Sequence, residues 1–236
     1  MYSHLNKGQI SYDHVNIIAA YKSELLRDDT TFNKNDKGQG YTLGKPTTIA
    51  AEVKNSAISQ RKGRLLYFIS NYLKPLTVLE LGTNTGISTL YLALGVNDNK
   101  AKISTVEGDK VLAEVAARKL NALIQAGTIS TDVMVKQELF VSALPELLDE
   151  HQPLDMLFID GDHNGNRVME YFISALSYLS EKGIVILDDI SWSPDMWNTW
   201  QTVSIHDNVT MALDFGDIGV LFVDKNLSRE YLRLRY

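Results

Sequence analysis

No cysteine occurs among the 236 residues. This removes disulfide frameworks, thiolate nucleophiles and cysteine-ligated zinc, and it fits a chain that works in the reducing cytoplasm. A basic block is missing too. Lys and Arg number 23 against 29 Asp and Glu, for a net charge of -6, so nucleic acid, which is bound through Lys/Arg clusters, is not an expected partner. The first residues, MYSHLNKGQI, lack the apolar core of a secretory signal. No apolar run is long enough to span a bilayer, and no internal repeat, low-complexity tract or domain linker interrupts the chain. What is present is the composition of a globular protein, 44% hydrophobic and 22% charged, in a length that supports one large α/β domain.

The chain is organised around residues 78–89, VLELGTNTGIST. Val-Leu-Glu-Leu reads as a buried strand. Gly82 and Gly86 permit a tight turn with close approach to a ligand. Residues 87–94 then read as an apolar helix with Gly95 as its stop. Amides freed at that helix start can face a polar or anionic group. A dinucleotide fingerprint G-x-G-x-x-G would need glycine at Asn84 and Ile87. Their absence speaks against an NAD-dependent oxidoreductase.

Around this centre the spacing predicts alternating elements. Residues 11–29, 47–60 and 62–73 have helical periodicity, with a polar loop at 30–45. Residues 1–64 thus form an N-terminal helical extension, either a cover for the sheet or a lid, and Lys34, Lys37 and Lys45 in its loop could meet an anion. Residues 65–236 form the core. Strands are expected at 77–81, 102–107, 131–136, 155–160 and 184–188, with helices at 109–126, 142–150 and 167–179, the last stopped by Gly183. Residues 209–213 and 218–223 read as a hairpin. The fold class is therefore α/β: a doubly wound, Rossmann-like sheet, mostly parallel, with an antiparallel strand near one edge. The tail SREYLRLRY reads as an edge strand or a subunit contact, compatible with a homo-oligomer.

The central turn is written E-x-G-x-x-x-G from Glu80 to Gly86. It resembles motif I of the class I S-adenosylmethionine-dependent methyltransferases, whose sheet also ends with an antiparallel seventh strand. The resemblance implies S-adenosylmethionine as cofactor. Gly82, Thr83, Asn84, Gly86, Ser88 and Thr89 would then lie along its methionine part, and Glu80 would help hold its ammonium group. Glu107, followed by Gly108, ends the second strand where a ribose-binding acid belongs in a nucleotide fold; its carboxylate can accept from both ribose hydroxyls. Glu138 falls where the family places an acid near the adenine, although Gln137 occupies the usual glycine position.

More acids gather at the ends of strands four and five: Asp160, Asp162, Asp188 and Asp189. Ligands of open α/β sheets bind beyond these carboxyl ends. Four carboxylates there repel one another unless a positive charge sits between them. That charge could be Mg²⁺ or Ca²⁺, a base such as Lys182 or Arg167, or the cofactor sulfonium. The pattern FIDGDH followed by ILDDI resembles metal-dependent O-methyltransferases of the catechol and bacterial sugar-modifying kind. That likeness implies Asp160, Asp188 and Asp189 as Mg²⁺ ligands and Asp162 as general base. His163 is the alternative base, since imidazole titrates nearer the working pH. Catechol-type members use a lysine shortly after the strand-four acid; Asn164 and Arg167 stand there instead. Trp192, Trp197 and Trp200, with Met196, are either core or a wall of the acceptor pocket. His206 is read as structural or exposed.

Methyl transfer from a sulfonium requires alignment of nucleophile, methyl carbon and sulfur, and a hydroxyl must lose its proton to react. The expected activity is therefore S-adenosylmethionine-dependent methyl transfer to a hydroxyl of a small-molecule acceptor, with magnesium assistance. The alternatives are a metal-independent N- or O-methyltransferase, an NAD-dependent oxidoreductase, and a non-catalytic binding protein that keeps the cofactor fold.

Overall fold

The structure, a computed structural model, describes residues 10–33, 46–97 and 100–235. Lys34, Lys37 and Lys45 lie outside the described residues. The chain opens with α1 (Tyr12–Leu25), then β1 (Thr31–Asn33) and β2 (Pro46–Thr48), which pair antiparallel, so the two ends of the expected loop are strands. The region expected as one helix over 47–60 divides into the strand β2 and helix α2 (Ile49–Ser56), and α3 (Gln60–Leu73) follows.

The core then alternates: β3 (Thr77–Leu81), α4 (Ile87–Val96), β4 (Lys102–Glu107), α5 (Lys110–Gln125), β5 (Asp132–Gln137), α6 (Phe140–Glu150), β6 (Leu154–Ile159), α7 (Gly165–Ala175), β7 (Leu179–Asp188), α8 (Pro194–Ser204), β8 (Met211–Asp214), β9 (Ile218–Phe222) and β10 (Glu230–Arg233). The large sheet has the order β10-β8-β9-β7-β6-β3-β4-β5. From β7 to β5 its neighbours are parallel; β9 runs antiparallel to both β7 and β8. The tail is an edge strand, β10, parallel to β8. Among the described residues no helix is long and apolar enough to cross a membrane.

Strand parity builds the core. Val78, Ile103, Met156, Phe158, Ile184 and Ile186 face one layer, packed by α1, α3, α4 and α5. Their alternates Leu79, Leu81, Leu157, Ile159, Val185 and Leu187 face the other, packed by α6, α7 and α8. Strands covered on both faces read as continuous apolar runs for this reason, and each large aliphatic side chain buried this way contributes about 2 kcal/mol. Ile18, Tyr21 and Leu25 of α1 belong to the first layer, so the N-terminal extension shares the core.

Two glycines behave differently from expectation. Gly95 lies inside α4, where a Cβ would come within 2.7 Å of the Ser70 Cβ, so it marks the close α3–α4 contact and not a helix stop. Gly183 lies inside β7, and α7 ends earlier, at Ala175. The β6–β7 register shifts between Leu154 and Met156, which absorbs the extra residues before Ile184.

After β3 the chain moves outward to β4 and β5, then returns to place β6 on the other side of β3. That reversal opens a crevice beyond the carboxyl ends of the parallel strands.

Candidate active site

A cavity of about 680 Å³ occupies the crevice, within the range of small-molecule sites. One side is formed by Gly82, Asn84, Glu107, Gly108 and Asp109; the other by Asp160, Asp162, His163, Asp188 and Asp189. Three non-glycine residues that line it, Asn84, Asp162 and Asp189, have φ of +48°, +61° and +53°. Such left-handed conformations are tolerated best by Asn and Asp, and they gather where a fold holds side chains for a purpose.

On the β3–β4 side the backbone does the holding. Gly82 has φ +113°, and a Cβ there would lie 2.0 Å from the carbonyl oxygen of Asp160. Only glycine lets β3 turn so tightly over β6. Glu107 Oε2 accepts from the amide of Asn84 at 2.7 Å, and Oε1 from the amide of Asp109 at 2.8 Å. Asp109 caps α5 through the amides of Val111 and Leu112. The N-terminal extension braces the same turn. Tyr21 donates its hydroxyl to the Thr85 carbonyl at 2.8 Å, and Asn84 Nδ2 donates to Glu52 Oε1 at 2.9 Å.

Several residues expected on the cofactor lie elsewhere. Glu80 is fully buried, does not line the cavity, and accepts from Thr89 and from Thr105. Its Oε1 has no hydrogen-bond partner among the described residues. Burial raises its pKa, against the hydroxyls of Thr105, Thr89 and Ser88, which lower it. Thr83 shares a hydrogen bond with Thr105 at 2.6 Å. Thr83, Ser88 and Thr89 therefore belong to a buried hydroxyl shell beneath the turn, and Gly86 packs under it against Tyr21. Glu138 turns out of the cavity to Lys136, 3.5 Å away; its neighbours Leu139 and Phe140 face inward instead.

The β6–β7 side is a network of charges. Asp162 Oδ2 accepts from Arg167 Nε at 2.8 Å and from the Tyr171 hydroxyl at 2.9 Å. His163 Nε2 lies 3.2 Å from Asp189 Oδ2, and its ring centroid is 5.1 Å from that of Trp192. Lys62, from the first turn of α3, reaches Asp188 Oδ1 and Asp189 Oδ1, each at 2.6 Å. Burial alone lowers the Lys62 pKa, but the two carboxylates reverse this and raise it, so the ammonium stays charged. Burial, then the charges of Asp188 and Asp189, push Asp160 well above the usual carboxylate range; burial also raises Asp188, against the pull of Lys62.

Lys62 is the residue sequence reasoning missed, along with Glu52 and Tyr21. Of the expected bases, Arg167 pairs with one of the four acids, Asp162, and lines the cavity, whereas Lys182 does not line it; Asp188 and Asp189 are compensated by Lys62. The carboxylates of Asp160, Asp188 and Asp189 are brought together as expected, yet they do not fit a metal ion. Among the described residues no group of three His, Asp or Glu side chains is arranged to hold one, and an ammonium stands between two of the three expected ligands. Of the tryptophan segment only Trp192 reaches the cavity; Met196 and Trp200 are buried in the core, Trp200 against Gly219. His206 packs edge-on against Phe172.

A Rossmann-like sheet with its crevice at the β3 turn and a carboxylate at the end of β4 is a frame that can hold a nucleotide-like ligand beyond the strand ends. Residues 79–190 match the family model described as methyltransferase domain. The catechol O-methyltransferase of Niastella koreensis is 32% identical over 134 residues, covering 56% of this chain and 57% of that one. The catechol O-methyltransferase of Mycobacterium tuberculosis is 29% identical over 141 residues, covering 60% of each. The chain thus spans less than two thirds of these relatives. In fold it is similar to the Bacillus cereus O-methyltransferase solved in complex with SAH, with a TM-score of 0.61 and 18% identity over 91% of this chain and 92% of that one. It is also similar to the O-methyltransferase TomG of Streptomyces achromogenes solved with SAM, with a TM-score of 0.59 and 21% identity over 90% and 98%.

Proposed function

We propose that this protein transfers a methyl group from S-adenosylmethionine to a hydroxyl oxygen of a small-molecule acceptor. The observation that carries the reading is Glu107. Both its oxygens are fixed by backbone amides at the rim of the cavity, which sets a carboxylate in the orientation through which an acid receives ribose hydroxyls. The donor set fits the cofactor in other respects. The Gly82 turn keeps the backbone bare beside the cavity, and Leu112 and Leu139 add an apolar wall on the Glu107 side. When bound, S-adenosylmethionine supplies an electrophilic methyl on a sulfonium sulfur.

The chain's own residues would orient the acceptor and take its proton. With Nε2–H donating to Asp189, His163 keeps Nδ1 as a proton acceptor, and the carboxylate stabilises the imidazolium that forms. Asp162 is bound to Arg167 and Tyr171, which suits a fixed acceptor for an acceptor hydroxyl better than a base. Val141 and Trp192 are exposed apolar side chains that line the cavity, so an acceptor with a flat apolar body fits its mouth. The metal-independent form of this chemistry is favoured over the magnesium-assisted one by the position of Lys62.

The test is calorimetric titration with S-adenosylhomocysteine. We expect binding by the wild type and, in Glu107→Ala, a loss of about 2 kcal/mol, roughly thirtyfold in affinity. Catechol, the substrate in the relatives' names, is the first acceptor to try, with and without EDTA. A folded wild type that binds no S-adenosylhomocysteine would overturn the reading.

A further inference from the structure

We propose that Lys62 is a built-in counter-cation that takes the place of a divalent metal among Asp160, Asp188 and Asp189, and presents its charge to the acceptor oxygen. The assignment of that charge to an acceptor rests on the methyltransferase reading; the replacement of the metal does not.

The geometry is specific. Nζ lies 2.6 Å from Asp188 Oδ1 and 2.6 Å from Asp189 Oδ1, with Asp217 Oδ2 at 4.0 Å. A magnesium ion held by those same two oxygens at about 2.0–2.1 Å would need the space the ammonium fills. Asp189, at φ +53°, turns one carboxylate oxygen to Lys62 and the other to His163. The two carboxylates and the ammonium thus form a closed arrangement beside the imidazole.

Local helix stability does not account for this lysine. The first turn of α3 holds no acid and reads Gln60, Arg61, Lys62. Positive side chains at a helix N-terminus oppose its macrodipole. The compensation comes from carboxylates 126 and 127 residues away in sequence. The start of α3 is also fixed in place. Ser59 caps it by accepting from the Lys62 amide at 3.3 Å, and Gly63 lets it approach α4 so closely that a Cβ would meet the Tyr91 ring at 2.2 Å.

An ammonium has three donors, and two are spent on Asp188 and Asp189. Lys62 lines the cavity, so a positive charge faces the space where an acceptor hydroxyl would sit. A fixed cation there stabilises negative charge growing on that oxygen, the part a metal plays in metal-assisted chemistry.

The experiment titrates Mn²⁺ into the full chain and follows the free ion by electron paramagnetic resonance, with wild type, Asp188→Asn, Lys62→Gln and the double variant Lys62→Gln/Asp188→Asn. We expect no site in the wild type below about 1 mM. Removing the ammonium leaves the carboxylates uncompensated, so Lys62→Gln should bind Mn²⁺ at least about tenfold more tightly than wild type, and the double variant should lose that gain. A tight Mn²⁺ site in the wild type that Asp188→Asn removes overturns the proposal. So does a folded Lys62→Gln that gains no site. Should Lys62→Gln fail to fold, the wild-type and Asp188→Asn titrations still decide. S-adenosylhomocysteine binding measured on the same wild-type sample keeps the two readings apart: its absence sinks the methyltransferase assignment and leaves the Mn²⁺ result standing.

Discussion

At the β3–β4 end of the cleft, Glu107 is held by backbone amides 2 and 23 residues away in sequence. At the β6–β7 end, Asp188 and Asp189 are held by Lys62, 126 and 127 residues away, and Asp162 by Arg167 and Tyr171 of the following helix. The first end is a property of turns and strand ends. Its donors belong to the main chain, so no substitution other than proline removes them. The second depends on ion pairs between elements that must first pack, and any one side-chain change alters it. Under the proposed function, the first construction is the one that would take the cofactor and the second the one that would face the acceptor.

The largest expected effect breaks the distinction, because Gly82 joins the two ends. A Cβ at Gly82 would strike the Asp160 carbonyl at 2.0 Å, on a backbone with φ +113°. Gly82→Ala should cost about 3 kcal/mol or more in chemical denaturation, through strain and a clash with main chain that cannot move aside. It should also weaken S-adenosylhomocysteine. A loss below about 1 kcal/mol would mean the β3 turn has room to shift, and the picture of a rigid first half would fail.

Tyr171→Phe sharpens the distinction. It removes the hydroxyl donated to Asp162 at 2.9 Å while Arg167 stays. A lost hydrogen bond to a charged group costs about 1.5–3 kcal/mol, which a urea midpoint would register. S-adenosylhomocysteine affinity should stay within about twofold of wild type, some 0.4 kcal/mol. A tenfold drop would show that the β6–β7 end also sets the β3–β4 end.

The same contrast explains what could be read in advance. The strand–turn–helix around Gly82, the acid ending β4 and the acids ending β6 and β7 follow from periodicity and from the rule that ligands sit at strand ends, so their gathering at one crevice was legible. Lys62, Glu52 and Tyr21 were not. Each acts through the packing of α1, α2 or α3 on the core, and helical spacing gives a face without giving its partner. Lys62 left one trace, a cationic first turn in QRKGR with no acid to offset it. The tryptophan segment was ambiguous because α8 buries Trp200 and Met196 while the loop before it leaves Trp192 at the cavity.

Glu80 is buried and does not line the cavity, and it supplies the smallest effect. Its side chain leaves β3 on the same face as Val78, toward α4, opposite Thr105 of β4, whose hydroxyl bonds it. Burial holds its pKa above the ordinary value, so the folded chain keeps a proton on Glu80 at pH values where the unfolded chain, with a Glu near 4.3, has released it. The folded state then binds more protons. Stability from this group is therefore complete below the unfolded pKa and is lost as pH rises through the folded one. Glutamine does not titrate and still offers a carbonyl to Thr89 and Thr105. Glu80→Gln should shift stability by about 1 kcal/mol or less at pH 5, and urea midpoints should move in the variant's favour, relative to wild type, between pH 5 and pH 7.5. Its S-adenosylhomocysteine affinity should match wild type. If the variant instead loses ground at pH 7.5 and binds the ligand more weakly, the carboxylate is ionised and engaged with a cation in the cleft, and the residue belongs to the cofactor site after all.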